Sequence, residues 1–328
     1  MSLKVITLKS FRTITLMALL GSSHDLFAGE APSVIYGEDN RSEPFLYEDF
    51  RFKILARSVA VQIKPANLIE ATEIDPPPVI ADDIVPPAAT IPFGQEKRDF
   101  YLDSEKLASR GICESERFAN QPSAGRCSGF FVGKNLLVTA GHCIRNQSDC
   151  DNFLWAFGYT TNSNDLDGKN IKLKDSQIYQ CKKIVARSKN RQFKDFAVIE
   201  LDRAVTDRRP LKLNRSRRPI AIGEDVLVIG HPSGLPMKIA DGAKVTELSD
   251  HIFYATLDTY GGNSGSPVFN QRTGEVEGIL VIGNEDYILD PLSMSYTDQC
   301  VVSNRLPNYM RKSEGVSYIS YVTPYVPE

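Results

Sequence analysis

The run Gly261-Gly262-Asn263-Ser264-Gly265-Ser266-Pro267 sets one hydroxyl among residues with almost no side chain, so Ser264 stands beside unobstructed backbone N–H groups. A serine hydroxyl is a weak nucleophile until a base takes its proton, and the base needs a further group to fix its tautomer. Both kinds of residue lie upstream. Thr139-Ala140-Gly141-His142-Cys143 follows the apolar run Leu136-Leu137-Val138, and Asp195 heads Phe196-Ala197-Val198-Ile199-Glu200-Leu201. The chain order is His142, Asp195, Ser264, and the chemistry open to such a set is acyl transfer through a covalent serine intermediate.

Each stretch alone has an ordinary explanation. Gly-Asn-Ser-Gly is good turn material because Gly and Asn take positive φ cheaply, a His-Cys pair is commonly structural, and an Asp before a strand is commonly a cap. Together, in this order and with these flanks, the stretches resemble the trypsin-like (chymotrypsin-fold) serine proteases, whose signatures are T-A-G-H-C, D-[FI]-A-[VL]-[IL] and G-[DN]-S-G-[GS]-P. The resemblance implies an all-β fold of two six-stranded antiparallel barrels with the cleft between them, and an endopeptidase that needs no cofactor or metal. It gives His142 the role of general base, Asp195 that of its orienting carboxylate, Ser264 that of nucleophile, and the N–H groups of Gly262 and Ser264 that of oxyanion hole. It also implies a disulfide between Cys127 and Cys143, across the histidine loop.

Specificity follows from the same likeness. The acidic residue six positions before the nucleophile sits at the pocket floor in trypsin-like enzymes, and here it is Asp258; Gly283 and Gly315 stand where the pocket walls would be. Glycines there would leave room for a long side chain, so cleavage after Arg or Lys is expected. The segment Val34-Ile35-Tyr36-Gly37-Glu38-Asp39-Asn40-Arg41 is similar to the mature N-terminus of the bacterial glutamyl endopeptidase branch, but Leu280 stands where that branch carries a wall histidine, which disfavours cleavage after Glu. Three positions depart from trypsin. Asn263 replaces the aspartate that receives a freed N-terminal ammonium, Val281 replaces a serine that supports the catalytic carboxylate, and Tyr260 replaces a cysteine that braces the pocket rim, leaving the rim looser. The other reading of the fold is a non-catalytic binding module, which loss of a triad residue would favour; all three are present.

The 328 residues carry 38 Lys and Arg against 41 Asp and Glu, a net charge of −3, with no basic stripe interleaved with aromatics, which argues against a nucleic-acid partner. Lys4, Lys9 and Arg12 precede an apolar stretch over residues 13–20 and small residues up to Ala28, the three-part pattern of a secretory signal over residues 1–28, too short to anchor in a bilayer. A secreted or periplasmic protein acting on protein or peptide substrates is expected, with no membrane partner once the signal is removed. Six cysteines fit an oxidising compartment. The remaining four are expected to pair as Cys150 with Cys181 and Cys113 with Cys300, other pairings staying open. No C-x-x-C or H-x-x-x-H spacing supports a zinc site, and His24, His231 and His251 lack the flanks of His142.

The elements that must hold these residues are short apolar runs broken by Gly, Asn, Asp and Pro: 127–132, 136–139, 153–159, 177–184 and 196–201, then 225–229, 244–247, 252–255, 267–269, 278–282 and 316–321. Many short strands with frequent turn signals argue a barrel or sandwich. Residues 58–64 also read as a strand, 50–56 as a helix, and 104–109 as a helix behind a capping serine. Prolines 76–78, 86–87 and 92 mark a linker or surface strap. The expected division is an N-terminal extension with this insert and a possible prosegment over 29–97, a first barrel over 98–212 and a second over 213–328. Residues 162–168 read as an Asn/Asp/Gly turn rather than a calcium loop, since an EF-hand register would put Lys174 where a bidentate Glu is needed.

Overall fold

The computed structural model describes residues 34–71, 98–190, 194–216, 218, 220–292, 299–309 and 313–328. The signal over 1–28 and the proline-rich stretch lie outside the described residues. Two closed six-stranded antiparallel rings make up the molecule. The first runs Ile178–Lys189, Asp195–Leu201, Leu136–Thr139, Cys127–Gly133, Val59–Ile63, Leu154–Phe157 and back. The second runs Asp225–Gly230, Pro267–Asn270, Val276–Ile282, Glu314–Tyr318, Ile252–Ala255, Lys238–Leu248 and closes on Asp225–Gly230.

Alternation explains how the strands serve two cores at once. In the first barrel Phe131, Ala197, Ile199 and Leu201 fill one cluster, while their neighbours Phe130, Val132, Phe196 and Val198 join a cluster shared with the other barrel. In the second barrel Val226, Val228, Val268 and Leu280 point inward, and Leu227, Ile229, Phe269 and Ile279 face that shared cluster. Strands buried on both faces read as continuous apolar runs, which is what residues 226–229 are. The shared cluster is the core that joins the two barrels.

The boundary expected at residue 98 moves. Val59–Ile63 is a strand of the first barrel, paired with both Cys127–Gly133 and Leu154–Phe157, so the barrel begins before the proline-rich stretch. Asp99–Leu102 lies outside the ring, in a small sheet with Leu68–Glu70 and Lys172–Lys174. The helix Phe50–Ala56 forms as expected, capped by Asp49 accepting from Arg51 N. The stretch expected as a helix near 104–109 is only a 3₁₀ turn, Leu107–Arg110, ended by Gly111 at φ 83°.

Both ends of the described chain cross between barrels. Ile35–Tyr36 and Arg41–Ser42 attach to second-barrel elements, the latter along the outer edge of Lys238–Leu248. The C-terminal residues turn back to the first barrel, where Tyr321 and Tyr325 pack on Phe196 with ring centroids 6.5 and 6.0 Å away. The disulfides are Cys127–Cys143, Cys150–Cys181 and Cys113–Cys300, the pairing expected. The last ties the segment before the first-barrel strand at 127 to the long connection between the second-barrel strands Val276–Ile282 and Glu314–Tyr318, which also carries the hairpin Tyr287–Leu289 and Val301–Ser303.

Candidate active site

Antiparallel register brings His142 and Asp195 together. Thr139 pairs with Ala197, so residues just past Thr139 lie opposite residues just before Ala197. Gly141 makes the approach possible, since a Cβ there would collide with Ser188 O and lie 2.8 Å from Phe196 O and 3.0 Å from Asp195 Oδ1. Arg187 Nε donates to Gly141 O and Ile144 O at 2.8 and 2.7 Å, fixing both ends of the turn. Asp195 Oδ1 accepts from His142 N at 3.0 Å and Oδ2 lies 2.8 Å from Nδ1. A neutral ring that gives its Nδ1 proton to the carboxylate presents Nε2 as the basic nitrogen.

The Ser264 loop presses on the same place from the second barrel. Ser264 O accepts from Ser128 N at 2.8 Å and lies 3.6 Å from the sulfur of Cys143, the residue after His142. Gly265, at φ 90°, would drive a Cβ into Ser128 O and Thr139 Oγ1. Carbonyls of the loop face inward: Gly261 O takes Ser233 N at 2.6 Å, Gly262 O takes Ser128 Oγ at 2.8 Å, and Asn263 O takes Ser266 N at 2.8 Å. The N–H groups of Gly262 and Ser264, on the opposite sides of the first and third of these peptides, donate to no protein acceptor among the described residues. Two outward N–H groups beside a hydroxyl are suited to a developing oxyanion.

Asp258 is placed otherwise than expected. Its Oδ1 accepts Tyr36 N and its Oδ2 accepts Asn40 N, each at 2.8 Å, and it is buried. Burial pushes its carboxyl up to about 7 against the pull of those two N–H groups. It clamps the N-terminal segment, with each oxygen taken by a backbone N–H. Gly315 is likewise corrected: a Cβ there would stand 2.9 Å from Ile282 Cβ, so the glycine admits Ile282 instead of leaving an open wall. Gly283 is buried beside Ile282. Leu280 points into the second-barrel core. Tyr260 does not leave a loose rim; it is fully buried, with Arg41 4.4 Å above its ring and Tyr287 4.8 Å away. Val281 packs on Cys127, Ala140 and Cys143. His231 is fully buried, its Nδ1 3.0 Å from Leu235 O and its ring stacked on Tyr159; burial drives its pKa down to about 3, so it stays neutral. His251 meets Tyr321 Oη at 3.1 Å. His24 is outside the described residues.

Residues 127–279 match the family model for the trypsin-like peptidase domain. That stretch, just under half of the chain, is what the chain shares with the trypsin-like peptidase family. Among curated proteins, the glutamyl endopeptidases of Staphylococcus aureus strains MRSA252 and MW2 are each 27% identical over 157 residues, covering 46% of this chain and 41% and 45% of the relatives. The alignment thus spans less than half the length of those relatives. Among solved structures, a Glu endopeptidase in complex with MPD aligns over 89% of this chain and 97% of its own at 16% identity and a TM-score of 0.45, and the Vibrio cholerae VesB protease over 89% and 66% at 13% and 0.46.

The site holds residues that the motifs did not mark. Asp286 Oδ2 accepts Gly261 N at 2.9 Å, and burial pushes its carboxyl up to about 7. Glu314, fully buried, accepts Thr259 Oγ1 at 2.9 Å, Tyr36 Oη at 3.2 Å and Asn284 N at 3.3 Å, and burial holds its carboxyl well above the usual range. Ser128 bridges the barrels. An acid before a glycine strand, or a serine after a cysteine, carries no signal in sequence alone.

Proposed function

We propose that this peptidase is an exported serine endopeptidase in which His142 takes the proton of Ser264 as the hydroxyl attacks a peptide carbonyl, then returns it to the leaving amine. Asp195 holds the ring in the tautomer with Nδ1–H and stabilises the imidazolium. The N–H groups of Gly262 and Ser264 bind the oxyanion, each worth about 3 kcal/mol in the transition state. The observation that carries this reading is the twofold grip of Asp195 on His142, through backbone N and Nδ1, directly beside the segment that bears Ser264. Export to the periplasm or the exterior is supported by the three disulfides. The test is labelling by a fluorophosphonate probe: wild type reacts and Ser264→Ala does not. Equal labelling of both ends the assignment of Ser264, and no labelling of a correctly folded, processed wild type favours a binding module.

Cleavage after Arg or Lys remains the proposed preference, on a changed basis. Asp286 and Glu314, with Asp258 behind them, surround residues 259–261 and 284 with carboxyl groups, and Arg41 there is already paired with Asp39 at 2.7 Å. Above about pH 7, where Asp258 and Asp286 ionise, a further carboxylate is a poor fit to such surroundings and a cation a good one. The competing reading, cleavage after Glu, is favoured by the names of the Staphylococcus aureus relatives. Digestion of a mixed peptide library separates the two; cuts clustered after Glu end the basic preference.

A further inference from the structure

We infer that Ser128 is a positioning residue for the oxyanion-binding loop: its side chain, from the first barrel, helps fix the Gly262–Asn263 peptide on the second, the unit that lies between the two peptides bearing the Gly262 and Ser264 N–H groups. The inference rests on the proposed role of Gly262. Ser128 lies on the strand Cys127–Gly133, is fully buried, and every polar group it owns is used at this junction. Its N–H donates to Ser264 O at 2.8 Å and its carbonyl accepts Thr139 Oγ1 at 2.7 Å. Its Oγ accepts His231 N at 3.0 Å and donates to Gly262 O at 2.8 Å. Because a backbone N–H can only donate, the single hydroxyl proton is directed to Gly262 O and nowhere else.

The need for such a contact comes from the sequence. Gly261 and Gly262 have no Cβ, so sterics do not choose between the two faces that their peptides can present. Hydrogen bonds must choose. Gly261 is held by Asp286 and Ser233, and the Gly262–Asn263 peptide by Ser128 on its carbonyl and by Tyr260 O, 2.9 Å from Asn263 N, on its N–H. Gly262 sits at φ 99° with His231 O 2.5 Å from where a Cβ would be, so no side chain could take over the task. The same serine reaches the Thr139 end of the histidine loop, so one residue sets the base-bearing strand and the anion-binding peptides relative to each other. Thr139 and Ser264 would keep their backbone contacts if only the hydroxyl were removed.

The test compares Ser128→Ala with wild type on a matched ester and thionoester carrying the side chain preferred in the library, per active site titrated with fluorophosphonate. A thiocarbonyl forms weak hydrogen bonds, so it reports general damage while the ester reports the oxyanion contacts. Ser128→Ala should lose about ten- to a hundredfold in kcat on the ester with KM changed less than twofold, a part of the loss typical of deleting a donor outright. The thionoester should fall less than threefold, narrowing the ratio by tenfold or more. An unchanged ratio, whether both rates fall or neither does, overturns the inference. If Ser128→Ala does not fold, Ser128→Cys, which keeps the shape with a weaker donor, is measured in the same way. Wild type that neither labels nor turns over either ester points instead to failure of the serine-peptidase reading, because it involves no change at Ser128.

Discussion

Gly265→Ala tests whether close approach of the two barrels at the site is a physical requirement. A Cβ at 265 would overlap Ser128 O and Thr139 Oγ1, which are hydrogen-bonded to each other at 2.7 Å, and stand 2.9 Å from Ala140 N, all three buried in the first barrel. None is the end of a flexible chain, so the Ser264 segment must withdraw, by on the order of 1 Å in a close-packed interior. Holding alanine at φ 90° costs about 1–2 kcal/mol. Overpacking adds about 1–3 kcal/mol, and weakening the bond from Ser128 N to Ser264 O about 1 kcal/mol. The sum is about 3–6 kcal/mol, and at roughly 2–4 °C per kcal/mol the melting temperature should fall by about 6–24 °C. Displacement of the hydroxyl relative to the imidazole by that distance should slow fluorophosphonate labelling and kcat/KM by about a hundredfold. Gly274→Ala is the control, since Gly274 shares the positive φ, at 71°, while its nearest neighbour would be 3.7 Å from the added carbon; it should lose only about 1–2 kcal/mol and no activity. A Gly265→Ala enzyme that melts within about 2 °C of wild type and labels at its rate refutes the reasoning.

Asp195→Asn should leave the fold intact and lower kcat by about 10⁴-fold, because an amide in place of the carboxylate favours the wrong tautomer of His142; activity within tenfold of wild type on a peptide substrate rules out that role. His231 gives a pH signature. Its folded pKa of about 3 lies below the unfolded value of 6.5, so between those values the unfolded chain binds more protons, and stability from this group is complete above pH 6.5 and is lost as pH falls. Asp258 and Asp286, raised to about 7, act in the opposite sense over an overlapping window, so the measurable quantity is the difference between wild type and His231→Gln. That difference should shrink by about 3 kcal/mol between pH 7 and pH 4.5 in urea unfolding, and a pH-independent difference contradicts it.

The barrel pair and the cluster of His142, Asp195 and Ser264 stretches were legible because local pattern and tertiary need coincide there. Gly141 and Gly265 lie within the motifs, and the structure shows why a side chain is intolerable at each. The role of Asp258 was not legible. Its partners are backbone N–H groups of Tyr36 and Asn40, more than 200 residues away, and backbone donors leave no mark in a sequence. Val59–Ile63 reads as a strand, but its place in the first barrel is hidden, since the long proline-rich stretch that follows it reads as a domain edge. The hairpin of Tyr287–Leu289 and Val301–Ser303 was missed because its strands are three residues each, too short to display a period.

The crossing ends carry a consequence for how the molecule comes into being. A strand near the start of the described chain completes the first ring, yet the residues just before it are stitched to the second, and the last tyrosines return to brace the first. Severing the connection between the rings would therefore not yield two autonomous modules; each piece would take with it a fragment the other requires. The two rings are laced together at both extremities, so a shift of one against the other would have to break contacts at each end of the described chain.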